Sequence, residues 1–288
     1  MNGRGLPGWI SPVWLVLTAI ISVQVGAAFA KSLFVLTAAT AVAWLRMAVA
    51  AVIFWVFARP RLTGRTWPQW RVVIGYGIAL ATMNWAIYQS FARIPIGLAV
   101  TIEFLGPLGV ALTGSRRARD LVWIALAGVG VALLGVVPST VDWVGVGFAL
   151  LAAAAWAAYI VLSGPTGRVW SGVTGVTVGS LVGALVFAVP GILAGGASLW
   201  QPQVLGLAVV VGIMSSVIPY GLEMIARRDI PAGVFGILMS LEPAAAALAA
   251  LVVLGEQLGF IELAAMACVT VASIGATRSL KPELEPID

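Results

Sequence analysis

Apolar runs about twenty residues long, cut by short clusters of Arg, Pro and Gly, set the rhythm of this chain. Ten such runs are marked off, at 12–30, 37–57, 72–91, 96–112 and 121–137 in the first half and 143–162, 173–193, 204–222, 233–254 and 261–276 in the second. Each is continuous and does not alternate, which predicts α-helices long enough to cross a bilayer and argues against a membrane β-barrel. Runs three and four are parted only by Arg93-Ile94-Pro95, and runs eight and nine by the stretch from Arg227 to Pro231, so both pairs are tight hairpins. The first run follows Arg4 and ends in Ala28-Phe29-Ala30, as a cleaved signal peptide does, but it is longer than a usual signal core and is read as a retained span.

Composition excludes more. Of 288 residues, 61% are hydrophobic and 9% charged, against ~45–50% and ~25% in soluble domains. The mean hydropathy is +1.07. The expected fold class is an all-α polytopic membrane protein of ten transmembrane helices. Those helices leave no length for an attached ATPase or other soluble domain. The chain has no His and one Cys, Cys268 within the tenth run, which excludes a His-ligated metal site and a disulfide framework. With only Lys31 and Lys281 as lysines and no GxxxxGK[ST] stretch, nucleotide hydrolysis is excluded too. No cofactor, no metal and no catalytic cluster is expected.

The net charge of +5 and the pI near 10.0 suggest nucleic acid until the basic residues are placed. With the amino terminus inside, Arg4, Arg59, Arg61, Arg65, Arg71, Arg116, Arg117, Arg119, Arg168, Arg227, Arg228, Arg278 and Lys281 all fall on the cytoplasmic side. The exceptions are Lys31, Arg46 and Arg93. This bias predicts both termini in the cytoplasm, and a lipid bilayer as the partner in place of nucleic acid.

An internal repeat lies beneath the runs. Ile94-Pro95-Ile96-Gly97 is echoed 136 residues later by Ile230-Pro231-Ala232-Gly233, and at the same offset Leu105 and Pro107 match Leu241 and Pro243. A preference of Pro for helix starts explains the first pairing but not the second. Repeats of five helices, 1–138 and 139–288, have opposite topology because five is odd. Inverted repeats are a transporter architecture with the site near the midplane between the halves.

Three ionisable residues lie at membrane depth: Arg46, Glu103 and Glu242. Each costs ~2.5–3.5 kcal/mol on insertion scales, so each must face a cavity or a partner. They form either an ion pair that ties helices together or a site for a charged, zwitterionic or proton-coupled ligand; one Arg facing two Glu leaves a carboxylate over. Pro107 and Pro243, close to the two acids, are expected to kink their helices and open polar backbone toward a cavity. Lys31 is either a snorkelling interface residue or part of an outer gate or substrate contact. Glu223, with Arg227 four residues on, is a local ion pair or a gate. The uncharged candidates are Gln24, Asn84, Tyr88, Gln89, Trp156, Tyr159, Tyr220 and Ser240, some of which serve as helix–helix hydrogen bonds. Trp9, Trp67, Trp70, Trp143 and Trp200 lie near run ends as an interfacial belt. Gly175, Gly179 and Gly183 form a ridge for close helix packing or a homodimer face.

The chain resembles the drug/metabolite transporter superfamily, the ten-helix type built of EamA repeats, and within it the RhtA-like threonine/homoserine exporter branch. The likeness is carried by 26–34 (GAAFAKSLF), 99–112 (AVTIEFLGPLGVAL), 115–117 (SRR) with Asp120, 156–164 (WAAYIVLSG), 219–226 (PYGLEMIA), 235–243 (FGILMSLEP) and 254–258 (LGEQL). It covers essentially the whole chain, and Lys31, Arg46, Glu103, Glu223 and Glu242 fall on positions where that branch has the same residue. The resemblance implies an inner-membrane exporter of small amino acids driven by a proton or ion gradient. On this reading Arg46 meets the substrate carboxylate and Glu242 or Glu103 its ammonium. Loop departures such as Arg227-Arg228-Asp229 bear on substrate range. The alternatives are a drug or metabolite exporter of the same fold, with Trp156 and Tyr159 lining a cavity for aromatic or cationic cargo, and a non-transporting membrane scaffold.

Overall fold

The computed structural model describes residues 11–113, 120–134, 142–170, 172–227 and 229–279. All regular structure among them is helical. The first half contributes α1 (Pro12–Ser32), α2 (Ala39–Ala58), α3 (Trp67–Phe91), α4 (Ile96–Glu103), α5 (Leu105–Thr113) and α6 (Asp120–Leu134). The second contributes α7 (Trp143–Val169), α8 (Thr174–Val186), α9 (Ala188–Gly195), α10 (Pro202–Gly212), α11 (Ile218–Ala226), α12 (Ala232–Met239), α13 (Glu242–Leu254) and α14 (Phe260–Ser279). Arg4, Trp9, Arg116, Arg117, Arg119, Arg228 and Lys281 lie outside the described residues.

Among the described residues seven segments are long and apolar enough to span a bilayer, and α8 with α9, bent by 51°, makes an eighth if the pair is one span. The other two apolar runs are also helical. The 25-residue α3 has the length but carries Arg71, Asn84 and Gln89, while α6 is apolar but short. The protein is thus an all-helical polytopic membrane protein. Local chemistry sets the helix starts: proline occupies the first turn of α1, α3, α10 and α13, where its missing N–H has no partner to lose. The Asp142 carboxylate accepts from Val144 N at 2.8 Å and so caps α7.

The helix register repeats. Moved 136 residues along the chain, α4 falls on α12 residue for residue, α1 on α7, α2 on α8–α9, α3 on α10–α11, α5 on α13 and α6 on α14. Pro95 and Pro231 precede α4 and α12 with nearly the same backbone, φ/ψ −56/142° and −57/142°. Packing follows the same rule: α3 lies on α7 as α1 lies on α10–α11, and α2 meets α8–α9 near the middle.

Two sequence expectations take a different form. Each proline near an acid stands just after a helix break and not at the bend itself: α4 ends at Glu103 before α5 carries Pro107, and α13 opens with Glu242-Pro243. A proline removes a donor at no cost in a first turn, so the chain breaks ahead of it. The glycine ridge of α8 is used inside the chain: Cβ atoms at Gly179 and Gly183 would lie 2.6 Å from Tyr76 and 2.8 Å from Ala81, both on α3. It seats α8 on α3 and is not left over as a dimer face.

Candidate functional site

Arg46 lies in the middle of α2 and is 8% exposed. Facing it, the helix formed by α10 and α11 does not run straight. Residues Ile213–Val217 form a π-helical turn, a distortion that recurs at functional sites. The turn presents polar groups to the guanidinium: Nη2 donates to the Ser215 carbonyl at 2.6 Å and Nε to Ser216 Oγ at 3.1 Å. Nη1 lies 3.5 Å from the Tyr88 hydroxyl, and the Tyr88 ring sits 5.5 Å from Cζ. Gly26 makes this approach possible, since a Cβ there would collide with Ser215 Oγ. Three of the five guanidinium N–H donors are thereby engaged, leaving two for a ligand.

The two acids stand at the helix breaks. Glu103 closes α4 and Glu242 opens α13, each 8% exposed. No hydrogen bond or ion pair holds either carboxylate among the described residues, and no ion pair joins them to Arg46. The expectation of an ion pair tying helices together is therefore not met. All three charges instead line one cavity of about 140 Å³, a size comparable to the ~150 Å³ engineered cavity that accommodates benzene.

Gln24, Asn84, Trp156, Tyr159 and Glu223 also line this cavity, with Ser215, Pro219, Tyr220 and Arg227. Four of the sequence candidates lie elsewhere. Tyr88 is fully buried behind Arg46. Lys31 is at the far end of α1, 2.6 Å from Glu256. Gln89 and Ser240 are helix-to-helix ties, to Thr40 at 2.9 Å and to Ser273 at 2.8 Å. Phe104 stacks edge-on against Trp156 at 5.3 Å, which fixes the wall beside Glu103. Sequence reasoning missed Ser215 and Glu256 as individual site residues. The signal for the first was Pro219, which has no N–H for the Ser215 carbonyl four residues before it.

The two ends of the cavity differ. Towards the Arg227 end the lining reaches Glu223 and Arg227, which pair at 3.8 Å and of which the arginine is mostly exposed. Towards the Lys31 end the lining stops at Phe91 and Val100. Beyond them the molecule is sealed. Glu256 places Oε1 2.6 Å from Lys31 Nζ and accepts the Ile96 N–H on Oε2 at 2.9 Å, while Lys31 also donates to the Ile94 carbonyl at 3.0 Å. Next to this seal α4 lies so close on α13 that a Cβ on Gly97 would be 2.8 Å from Ala247 Cβ.

A cavity enclosed by apolar helices, with a fixed cation and two unpaired acids at broken helices, is the arrangement of a membrane transporter. The chain belongs to the EamA-like transporter family. The family model matches residues 143–278. The threonine/homoserine exporter RhtA of Escherichia coli (strain K12) is 42% identical over 97% of this chain and 95% of its own length. The exporter of the same name from Salmonella typhimurium (strain LT2) is 40% identical over 99% of this chain and 98% of its own. These relatives are named as exporters and not as enzymes. A chain of known crystal structure shares the fold, with a TM-score of 0.62 over 92% of this chain and 96% of its own at 22% identity.

Proposed function

We propose that this protein is a secondary transporter of the inner membrane that exports small amino acids of the threonine/homoserine type by alternating access. The observation that carries the reading is the cavity itself: a guanidinium with two donors free and two unpaired carboxylates share a space of about 140 Å³. A zwitterion supplies the complement to both signs, and the cavity is too small for bulky cargo. The names of the relatives agree. Arg46 takes the α-carboxylate through a fork of N–H donors. One of Glu103 and Glu242 takes the ammonium, and the other exchanges a proton, which makes the proton the coupling ion. No cofactor takes part.

The two repeats, 1–138 and 139–288, then move against each other about the cavity. Both termini are cytoplasmic, so the Arg227 end faces the cytoplasm and the Lys31 end faces outward. The structure corresponds on this reading to a state that loads from the cytoplasm, with Lys31 and Glu256 as the outer gate and Glu223 at the cytoplasmic mouth. The aromatic wall of Trp156, Tyr159 and Tyr220 favours a second reading, export of aromatic or cationic metabolites, in which Arg46 is dispensable and the acids are not.

Uptake of labelled threonine into inverted membrane vesicles, with and without an imposed proton gradient, tests the proposal. Gradient-dependent uptake that Arg46→Met reduces at least 100-fold is expected, because a buried charge contact of this kind is worth several kcal/mol. Failure to transport any amino acid overturns it. Transport of cations that Arg46→Met leaves intact supports the second reading instead.

A further inference from the structure

The three charges do not exhaust the polar groups of the cavity. On the α1 wall Gln24 is 4% exposed, lines the cavity, and makes no hydrogen bond among the described residues. On the adjoining π turn the Ser215 Oγ also has no partner, but it is packed against Gly26 and has no surface open to the cavity. These two walls are tied together: Ser22 Oγ donates to the Met214 carbonyl at 2.7 Å, and Gly26 abuts Ser215. Asn84, in contrast, has its amide donor engaged by the Leu80 carbonyl at 2.7 Å. Buried polar groups are nearly always satisfied in native proteins. An unpartnered carboxamide on the wall of the cavity therefore points to a group that arrives with the ligand.

The chemistry of that group follows from elimination. The α-carboxylate and the ammonium are matched by Arg46 and the two acids, so the neutral wall faces the amino-acid side chain. A carboxamide offers a donor and an acceptor side by side, and a hydroxyl is the small group that both donates and accepts. We propose that Gln24 recognises the side-chain hydroxyl of the substrate and so selects hydroxy amino acids over their apolar isosteres. The inference rests on the amino-acid reading given above. It names a specificity residue on α1 where the charges name only the zwitterion. A site built to hydrogen-bond a hydroxyl rejects an analogue without one far more strongly than an apolar pocket rejects an extra methyl.

The test measures a ratio within one protein, so expression level cancels. Inverted vesicles bearing the full-length chain are given labelled threonine or labelled valine, which replaces the threonine hydroxyl by a methyl. The wild type should favour threonine. Gln24→Met, similar in length but without donor or acceptor, should move the threonine-to-valine ratio towards valine by about tenfold or more. Gln24→Asn, which keeps the amide but draws it back by one methylene, should move it the same way by a smaller factor, and serves alone where Gln24→Met does not insert. Equal loss of both substrates in the variants, or a wild type that does not distinguish them, overturns this inference and leaves the amino-acid reading standing. A wild type that transports neither amino acid overturns both.

Discussion

Two seams at matching places in the helix register are in opposite conditions. At the Lys31 end the start of α4 is packed on the later part of α13, with Gly97 against Ala247 and Glu256 bridging Lys31 and Ile96 N. The matching seam at the Arg227 end would join the start of α12 to the later part of α5. Among the described residues α12 and α5 are not packed together to any comparable degree, and Gly233, the counterpart of Gly97, has nothing within 4 Å of a Cβ. Both helix starts read Ile-Pro-x-Gly, but Lys31 and Glu256 have Gly167 and Asp120 as counterparts, so the closed seam carries an ion pair that the other cannot form. On the alternating-access reading proposed above, one seam closes while the other opens.

The comparison can be broken at several strengths. The largest effect belongs to locking the closed seam. In a Lys31→Cys/Glu256→Cys double variant, a short bifunctional thiol reagent should abolish transport, and reduction should restore it; turnover that persists in the linked protein sinks the two-seam account. Next comes Glu256→Gln, which keeps the shape but removes the carboxylate that caps α4 and pairs with Lys31. A cap and a charge-assisted contact are together worth about 1–3 kcal/mol. A cysteine reporter at Phe91 should therefore become roughly tenfold or more reactive from the Lys31 side, and an unchanged rate would show that the seal lies elsewhere.

A paired substitution sharpens the contrast. Gly97→Ala forces a methyl against Ala247 and costs the closed seam about 1–3 kcal/mol, so it should raise reactivity from the Lys31 end. Gly233→Ala meets open space here and should leave this state alone while hindering the other, so the reporter should move in the opposite direction. Shifts of the same sign in both variants refute the pairing of the seams. The smallest effect is expected of Arg93→Gln. It loosens a half-exposed pair with Asp142 at 4.0 Å, at the same end but outside the seam. Transport should be unaltered and thermal stability should change by less than about 1 kcal/mol; a clear transport defect would extend the seam to this rim.

Much of this was legible before any coordinates. Ten helices, the 136-residue register and the three charges at depth all follow from hydropathy and spacing, because a bilayer penalises each departure from an apolar helix. Arg46, Glu103 and Glu242 do meet in one cavity. What spacing could not show was that the arginine is held by a π turn and not by a glutamate. The run from Ile213 to Val217 does hold Ser215 and Ser216, and Pro219 lacks the N–H that would bond the Ser215 carbonyl, but nothing in that spacing says which arginine the freed groups meet. Glu256 stood in the LGEQL motif yet drew no notice, since it lies beyond the end of α13 at Gly255, where a carboxylate in a loop is unremarkable by itself. Tyr88 looked like a cavity residue by its spacing from Asn84 and proved to be the back support of Arg46. The condition of each seam depends on long-range packing such as Gly97 against Ala247, which spacing along the chain does not report.

The π turn also sets the two halves apart. The uninterrupted α3 and the interrupted α10–α11 are counterparts in register, but only the latter opens backbone and hydroxyl groups towards an arginine. The counterpart of Arg46, 136 residues on, is Val182, and Glu103 and Glu242 have Met239 and Gly106 as theirs. Neither half carries the inventory of the cavity by itself: two copies of the first would lack the π turn and Glu242, and two copies of the second would lack Arg46 and Glu103.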